Sequence, residues 1–270
     1  MTDYYLQDIY IYPVKSLGGI QLQQAEVQQT GLQYDRRWML VDQEGTFLSQ
    51  RTFAQMSALR VNLVNDELLV SHKKEMLEPL AIPTYTTTGN RVNVKIWDDV
   101  CMALEVSAVA NEWFSQALGM SAQLVFMPEV VHRFVDKNYA TNNEIVSFAD
   151  AYPLMMIGQS SLDDLNLRLE QPILMNRFRP NLVFKGGTPF CEDEFASFKI
   201  GDVGFKAVKP CYRCVLTTIN QENGIRGKEP LKTLSTYRTY RNKIMFGQNL
   251  LQENGGIIKV NDRLQIQSLK

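Results

Sequence analysis

Cysteine and histidine are scarce in this sequence, whose 270 residues include four cysteines and two histidines. Because cellular thiol pools keep isolated cysteines reduced, the four predict core thiols or ligands and no disulfide framework. No run of eighteen apolar residues occurs, and the first residues lack the basic and apolar stretches of a signal peptide. We therefore predict a cytoplasmic protein without membrane association.

Net charge is also nearly absent, since 28 basic and 29 acidic residues leave a formal charge of -1. Nucleic acids and anionic membrane surfaces favour strongly basic proteins, so we expect no nucleic-acid partner. Any site for an anion must then be local. Hydrophobic residues make up 45% of the chain, which is enough for a large buried core.

The pattern of hydrophobic residues predicts a β-rich α+β fold. Residues 37–48 predict a hairpin that turns at residues 42–45, and residues 60–70 predict a second that turns at Asn65-Asp66. These short spacings favour antiparallel pairing. Further strands are predicted at residues 91–97, 100–104, 181–184, 203–208, 215–219, 257–260 and 264–266.

Two helices stand among these strands. Ser107 is predicted to cap the first and Gly119 to end it. Ser160 or Ser161 is predicted to cap the second. The apolar faces are predicted to consist of Val109, Trp113, Phe114, Ala117 and Leu118 in the first helix and of Leu162, Leu165 and Leu169 in the second.

One stretch, residues 127–143, loses all periodicity and is rich in polar residues. We place a domain junction there. The predicted domains are residues 1–125 and residues 126–270.

A pair of thiols stands out at residues 210–218, Pro-Cys-Tyr-Arg-Cys-Val-Leu-Thr-Thr. A thioredoxin-like redox pair would begin a helix, whereas residues 215–219 are predicted to be extended. A zinc site needs four ligands, and His72 and His132 are isolated. Ordinary core cysteines remain a further interpretation. Arg213 favours a thiolate at its neighbour, so a single cysteine ligand to a soft metal is also possible.

Cationic residues recur in three other segments. Lys15 and Ser16 enter a turn with two glycines, which allows a phosphate to approach the backbone. Residues 35–38 (Asp-Arg-Arg-Trp) and 176–181 (Asn-Arg-Phe-Arg-Pro-Asn) carry arginines whose planar guanidinium groups suit phosphate and pterin-like rings. Each segment alone fits a solvated turn or a surface ion pair equally well.

Five motifs in order, residues 12–16, 35–38, 176–181, 211–218 and 246–249, resemble the MOSC family, including its N-terminal β-barrel domain. The resemblance extends nearly from end to end and is greatest to bacterial and mitochondrial amidoxime-reducing proteins. It implies a MOSC N-terminal β-barrel domain at residues 1–125 and a MOSC β-barrel domain with a few helices at residues 126–270.

The resemblance also implies a molybdenum ion chelated by molybdopterin and bound by one cysteine thiolate. That role falls on Cys214, while Cys211 receives none. Cofactor-binding residues would be Lys15, Ser16, Arg36, Arg179, Arg213 and Asn249, with the cofactor lying between the two domains. Family members often have small hydroxyl residues where this chain has Ala151-Tyr152-Pro153, so contacts there would be made by the backbone or be absent.

The activity implied is reduction of N-hydroxylated compounds, such as amidoximes and base analogues, to amines. Cysteines for an iron-sulfur cluster are lacking and no ferredoxin module precedes Lys270, so a separate ferredoxin or flavoprotein reductase would supply electrons. The alternative is a carrier of sulfur or of molybdenum cofactor that uses a Cys214 persulfide. It is disfavoured because no pyridoxal-phosphate desulfurase domain is fused. We expect a monomer.

Overall fold

A computed structural model describes residues 3–140 and 142–270 of the protein. The strands of the first half are β1 (Tyr4–Ile11), β2 (Ile20–Leu22), β3 (Gln24–Gln28), β4 (Gly31–Leu32), β5 (Trp38–Val41), β6 (Leu59–Val64), β7 (Glu67–His72), β8 (Leu80–Pro83), β9 (Arg91–Ile96), β10 (Asp99–Glu105) and β11 (Gln123–Phe126). Helix α1 (Ala108–Leu118) lies between the last two strands.

The second half contains β12 (Arg133–Phe134), β13 (Ile145–Val146), β14 (Leu154–Gly158), β15 (Leu182–Lys185), β16 (Phe195–Ile200), β17 (Val203–Tyr212), β18 (Thr239–Tyr240), β19 (Lys243–Gln252), β20 (Gly256–Lys259) and β21 (Arg263–Leu269). Its helices are α2 (Gln159–Leu167) and α3 (Leu231–Ser235). Short 3-10 turns cover Ala54–Ala58, Met175–Arg177, Cys191–Asp193 and Val215–Thr218. With three α-helices among the described residues, the predicted β-rich α+β class is confirmed. None of the described helices has the length and apolar character that crossing a membrane requires.

Seven strands form a closed barrel in the order β14, β15, β1, β21, β16, β17 and β19, where β19 pairs again with β14. Side chains alternate across each strand, so every second one points into the barrel. Phe198 and Phe205 stack inside it with ring centroids 5.4 Å apart, and Leu6 is fully buried in the same core. Aromatic and aliphatic burial is therefore the main stabilising contribution here.

The first strand of the chain belongs to this barrel. β1 lies between β15 and β21 and is antiparallel to both, with Leu6 opposite Phe184 and Tyr4 opposite Leu264. Strand β3 pairs in turn with β20. The amino-terminal residues are thus part of the carboxy-terminal core, and they bring the turn after β1 next to the second half. The predicted division between residues 125 and 126 stays a prediction.

The rest of the first half forms a four-stranded sheet, β5-β11-β10-β9, and a three-stranded sheet, β6-β7-β8. Trp38, Phe114 and Leu124 are fully buried between these elements. Both predicted hairpins are confirmed. Asn65 and Asp66 form a two-residue turn with φ angles of 50° and 61°, as a hairpin of this length requires.

Helix α1 begins and ends where the sequence predicts. The Ser107 side chain accepts a hydrogen bond from the backbone N–H of Ala110, and Gly119 ends the helix in the left-handed conformation. The predicted apolar face is wrong at Val109, which is 68% exposed. The predicted Phe114, Ala117 and Leu118 are buried, and Ala110, at helical spacing from Phe114, takes the place of Val109 on the buried face.

The predicted cap of α2 is wrong. Gly158 occupies the N-cap position, where no side chain bonds to the helix. The Ser161 hydroxyl donates instead to the buried Glu192 carboxylate, at 2.8 and 2.9 Å. A buried carboxyl group needs hydrogen-bond partners, so this serine serves the contact between helix and barrel. The predicted anchors Leu162 and Leu165 are buried.

The strand predicted at residues 215–219 is also wrong, since Val215–Thr218 forms a 3-10 turn. The Thr217 hydroxyl donates to the Cys214 carbonyl at 3.0 Å, and the Thr218 hydroxyl donates to the Val215 carbonyl at 2.7 Å. Threonine hydroxyls that bond back to the preceding backbone compete with extended structure. Cys214 therefore stands at the start of a tight turn and not within a strand.

Candidate functional site: a thiol among cations from both halves of the chain

Cys214 lies between the end of β17 and the 3-10 turn, and its side chain is partly exposed. Its sulfur is a free thiol, as are those of the other three cysteines. The preceding backbone is fixed, because the Arg213 N–H donates to the Ile244 carbonyl at 2.7 Å. The loop thus holds the thiol at the rim of the barrel, where a ligand can reach it.

The cation nearest to Cys214 comes from the first half of the chain. Arg51 donates from Nε to Cys214 Sγ at 3.2 Å, and its guanidinium lies 4.7 Å from the centre of the Trp97 ring. One of its terminal nitrogens pairs with the Asp150 carboxylate at 2.5 Å. A guanidinium held on three sides keeps one N–H directed at the sulfur.

Asp150 connects this arginine to a predicted site residue. Lys15 pairs with the second Asp150 oxygen at 2.5 Å and also donates to the Phe148 carbonyl at 2.7 Å. Trp97 donates to the same Asp150 oxygen at 3.2 Å. The fold therefore links Lys15 to Cys214 through Asp150 and Arg51, across 199 positions of sequence.

These contacts shift the ionisation of the three charged groups. Burial lowers the pKa of Lys15 to about 8, and Asp150 offsets part of that effect. Burial raises the pKa of Asp150, but Lys15 and Arg51 outweigh it and hold that pKa well below its usual range. Burial likewise lowers the pKa of Arg51, while Asp150 and Cys214 outweigh it and leave the pKa above its usual value. The pKa of each of these three groups therefore depends on the charges of its neighbours in the network.

Two further predicted residues lie on the Tyr12 ring. The guanidinium of Arg36 is 4.6 Å from the ring centre and that of Arg179 is 4.1 Å from it. Arg36 pairs with Asp35 at 2.6 Å, and Arg179 donates to the Leu17 carbonyl at 2.7 Å. Burial lowers the pKa of Arg179 to about 10. Arg179 is only 8% exposed, and no carboxylate of the described residues pairs with it.

Three predicted residues adopt the left-handed backbone conformation, with φ of 67° at Ser16, 51° at Arg36 and 56° at Arg179. This conformation is costly for residues other than glycine, typically by about 1–3 kcal/mol, and persists where the surroundings impose it. Strain of this kind concentrates at binding sites.

The second half of the chain contributes Arg213 and Asn249. Arg213 donates from Nη2 to the Phe178 carbonyl at 2.5 Å and from Nη1 to Met155 Sδ at 2.7 Å, while its buried Nε has no partner among the described residues. Asn249 is opposite Met155 in the β14–β19 ladder and donates to the Pro210 carbonyl at 3.5 Å. Both residues thus adjoin Met155.

The sequence predicts that the cation of Arg213 favours a thiolate at the adjacent Cys214. Arg213 Nη1 instead donates to Cys211 Sγ at 3.0 Å. Alternate residues of an extended segment lie on the same side, so a guanidinium two positions after Cys211 can fold back onto it. The cation at Cys214 is Arg51, which the sequence reading missed.

Asn181 connects Arg36, from the first half of the chain, to Met155, which adjoins Arg213 and Asn249. Asn181 accepts a hydrogen bond from Arg36 at 3.1 Å and another from the Met155 N–H at 3.2 Å. Every predicted residue is thereby connected to the others through hydrogen bonds, strand pairing or direct sequence neighbours. The charged members are five cations, Lys15, Arg36, Arg51, Arg179 and Arg213, and two carboxylates, Asp35 and Asp150, which leaves a surplus of three positive charges.

Two residues of the site were absent from the sequence prediction. Arg51 occurs in Ser-Gln-Arg-Thr, which has no recognisable spacing, and Asp150 is an acid within a site expected to bind an anion. The signal for Asp150 was its position beside Ala151-Tyr152-Pro153, a segment where family members often have cofactor-contacting hydroxyl residues but where contacts were expected to be made by the backbone or to be absent. Nothing in the local sequence of Arg51 indicates its role.

The fold and site together define a β-barrel protein with a cationic site centred on one cysteine. Two family models match the chain, the MOSC N-terminal beta barrel domain over residues 4–121 and the MOSC domain over residues 143–265. The chain belongs to the MOSC-domain family that includes the amidoxime-reducing components.

Three relatives illustrate the likeness. Mitochondrial amidoxime-reducing component 1 of Mus musculus is 33% identical, with 94% of this chain and 79% of that protein covered. The Homo sapiens protein of the same name is 31% identical, with 94% and 80% covered. Molybdenum cofactor sulfurase of Oryza sativa subsp. japonica is 30% identical, with 92% of this chain but 32% of that protein covered.

Proposed function

We propose that this protein is a molybdenum-cofactor-dependent oxidoreductase that reduces N-hydroxylated compounds to amines. The observation that carries the proposal is the Cys214 thiol, which receives a hydrogen bond from Arg51 where cations of both halves converge. Similarity to amidoxime-reducing components supports the same reaction class. The substrates proposed are amidoximes and N-hydroxylated base analogues.

The side chains present fit a molybdopterin cofactor. A surplus of three buried or half-buried positive charges is costly until an anion offsets it, and a phosphate group is such an anion. Burial already lowers the pKa of Lys15 and of Arg179, which is the expected effect on cations that lack full compensation. The unpartnered Nε of Arg213 offers a further donor.

The ligand chemistry fits as well. Among the described residues, no three histidine, cysteine or acidic side chains lie close enough to bind a metal ion together. A soft thiolate such as Cys214 would then be the one protein ligand, with the dithiolene of the pterin supplying further sulfur. Lys15, Ser16 and Arg36 would hold the cofactor from one side, and Arg179, Arg213 and Asn249 from the other.

When bound, the molybdenum cofactor supplies the two-electron chemistry that removes oxygen from nitrogen. The substrate N–O bond breaks, two electrons and two protons are consumed, and the products are the amine and water. The electrons come from a separate ferredoxin or flavoprotein reductase in our proposal. The protein positions the reacting groups and excludes competing ligands.

Arg51 has a defined part in this arrangement. Its Nε–H directs one sulfur lone pair of Cys214 and withdraws negative charge from it. Trp97 and Asp150 hold the guanidinium in place, and Lys15 holds Asp150. The Asp150 side chain is 46% exposed, so this end of the network is open to solvent and to an incoming substrate.

Purification from a host that makes molybdopterin tests the proposal. We expect one molybdenum ion per chain and turnover of benzamidoxime and N-hydroxycytosine with reduced methyl viologen as donor. Protein without stoichiometric molybdenum, or loaded protein without turnover, contradicts the proposal. A loaded but inactive protein that passes its cofactor to an acceptor enzyme would indicate the carrier function instead.

A further inference from the structure

A strongly basic segment borders Cys214 and has no part in the site described above. Residues 226–243 contain six cations, Arg226, Lys228, Lys232, Arg238, Arg241 and Lys243, and one acid, Glu229. Arg238 is neutralised by Asp193 at 2.5 Å. The other five, which we call the basic rim, are exposed. The protein as a whole has a net charge of -1, so this concentration is local.

One end of the basic rim contacts the site directly. A terminal nitrogen of Arg226 donates to the backbone carbonyl of Arg51, the residue that bonds to Cys214. The N–H of Gly227 donates to the Thr218 carbonyl at 3.0 Å, which joins this segment to the turn after Cys214. Arg226 therefore reaches the residue that bonds to the thiol, and Lys228 follows Gly227 on the carboxy-terminal side of the Cys214 loop.

The other end reaches Cys214 from the amino-terminal side of its loop. Strands β18 and β19 form a hairpin whose two-residue turn, Arg241-Asn242, has φ angles of 47° and 60°. Lys243, next to this turn, lies 4.8 Å from the ring centre of Tyr212. Tyr212 is opposite Met245 in the β17–β19 ladder. The cations thus flank the thiol on two sides.

The surface between these cations is partly apolar. Tyr212 is 55% exposed, Val215 47%, Ile225 66% and Tyr240 59%. No described carboxylate lies within ion-pair distance of Arg226, Lys228, Lys232, Arg241 or Lys243. Exposed aromatic and aliphatic side chains ringed by unpaired charges are the composition of a protein-binding surface.

We propose that the basic rim is the docking surface for a small, acidic electron-carrier protein. The inference rests on the proposed function, because reduction of one N–O bond requires two electrons from outside the chain. Two reduced carriers would each give up one electron and leave oxidised, while two protons come from solvent. Opposite charges steer such partners together and orient them, so that the carrier's redox centre faces Cys214.

A protein partner fits the geometry better than a small anion does. The two ends of residues 226–243 approach the thiol from either side of its loop, and the five cation side chains are exposed and not gathered around one cavity. Small ligands are bound in concave pockets, whereas transient electron-transfer partners meet over broad, charged surfaces.

The test compares two variants with the same change in charge. Lys228→Glu with Lys243→Glu reverses one charge on each side of Cys214. Lys199→Glu with Lys259→Glu reverses two exposed lysines on β16 and β20, which do not contact the Cys214 loop. Each protein, loaded with cofactor, is assayed with reduced plant-type ferredoxin, an acidic one-electron carrier, and separately with methyl viologen.

We expect the rim variant to lose about tenfold or more in kcat/KM for ferredoxin at low salt, with the loss shrinking at 0.5 M NaCl. Turnover with methyl viologen should be unchanged in both variants, and the control pair should match the unmodified protein with ferredoxin. Binding of ferredoxin to the cofactor-free protein, followed by NMR titration, should weaken in the rim variant alone.

Equal behaviour of the two variants with ferredoxin overturns the docking proposal. A second contrary result would come from an anionic N-hydroxylated nucleotide assayed with methyl viologen. If its KM rises in the rim variant alone, the rim binds substrate and the docking proposal is overturned. The docking proposal is also overturned if the unmodified protein binds vesicles containing anionic lipid, the rim variant does not, and kcat/KM for ferredoxin is the same in both proteins. If the unmodified protein shows no turnover with methyl viologen, the proposed function is contradicted. The NMR titration then still tests whether ferredoxin binds at the basic rim.

Discussion

Cys211 and Cys214 lie three residues apart, and different arginines contact their sulfur atoms. Cys211 is on β17, packs against the core cluster that contains Phe178 and Phe246, and accepts a hydrogen bond from Arg213 two positions away. Cys214 lies beyond the end of the strand and accepts its hydrogen bond from Arg51, which comes from the other half of the chain.

The difference shows that sequence proximity to a cation is a poor guide to the surroundings of a thiol. Arg213 is adjacent to Cys214, yet strand geometry turns its guanidinium toward Cys211. The exposure of Cys214 and the charge beside it follow from the tertiary fold, which joins the turn after β1 to the Cys214 loop. Four predictions sharpen this comparison.

The largest effect is expected from exchanging the two thiols for hydroxyls, one at a time. Cys214→Ser should abolish reduction of benzamidoxime by methyl viologen and lower the molybdenum content, because it removes the thiolate that we propose as the protein ligand to the metal. Cys211→Ser should retain turnover within a few fold. Kinetics and elemental analysis on the two purified variants measure both effects. Equal losses in the two variants would contradict the different roles proposed for Cys211 and Cys214.

Arg51→Met should come next, with a loss of about 10- to 100-fold in turnover or metal retention, the usual effect of removing a hydrogen bond to a metal ligand. The control is Arg238→Met, which removes another half-buried guanidinium that lies over an aromatic ring, Phe190, and pairs with a carboxylate, Asp193. Arg51→Lys should recover part of the loss. A change in the electron paramagnetic resonance signal of molybdenum in Arg51→Met alone would separate an effect on the sulfur from general misfolding.

Asp150→Asn should lower the free energy of unfolding of the cofactor-free protein by about 1–2 kcal/mol, because it leaves the buried Lys15 and Arg51 without their shared carboxylate. The exposure of Asp150 keeps the loss below that of a fully buried pair. Asp99→Asn is the control, since Asp99 holds one buried cation, Arg133, and no neighbour of Cys214. Urea titration of both variants should give the larger loss for Asp150→Asn, and the reverse order would contradict the network that reaches Cys214.

The smallest effect concerns pH. Burial holds the pKa of Lys15 at about 8 against an ordinary value of 10.5, despite the neighbouring Asp150, while Arg51 and Arg133 nearby lower it further. Between these values the unfolded chain binds more protons than the folded protein, so stability rises with pH. The unmodified protein should gain about 1 kcal/mol relative to Lys15→Met between pH 8 and pH 9, and little below pH 7. Urea titrations at each pH measure the difference.

Lys199→Met is the matched control for that series, because Lys199 is exposed on β16. Its stability difference from the unmodified protein should stay constant over the same range. A constant difference for Lys15→Met as well would mean that Lys15 is not buried beside Asp150, and the connection from Lys15 to Cys214 would fail.

Local features of the fold were predictable from sequence. The turn at Asn65-Asp66 and the caps of α1 are set by residues a few positions apart, and both are confirmed. The strand predicted at residues 215–219 failed because hydroxyl groups of Thr217 and Thr218 compete for the backbone, which β-propensity alone does not register.

The sequence predicted most of the cations of the site, but not the ion pairs and hydrogen bonds that connect them. Lys15 and Cys214 were named from motifs, but Arg51 and Asp150, which join them, have no local signature. Their roles become visible once β1 is inserted into the second half's barrel, a long-range pairing that no short pattern encodes. The roles of the predicted site residues, the cytoplasmic location, the monomeric state and the separate electron donor stay predictions.

X-ray absorption at the molybdenum K-edge tests the central claim most directly. The unmodified protein should show one molybdenum–sulfur bond more than Cys214→Ser, whose remaining sulfur ligands come from the pterin, and Cys211→Ser should match the unmodified protein. An unchanged sulfur count in Cys214→Ser, or the missing bond in Cys211→Ser, would contradict the assignment of Cys214 as the metal ligand.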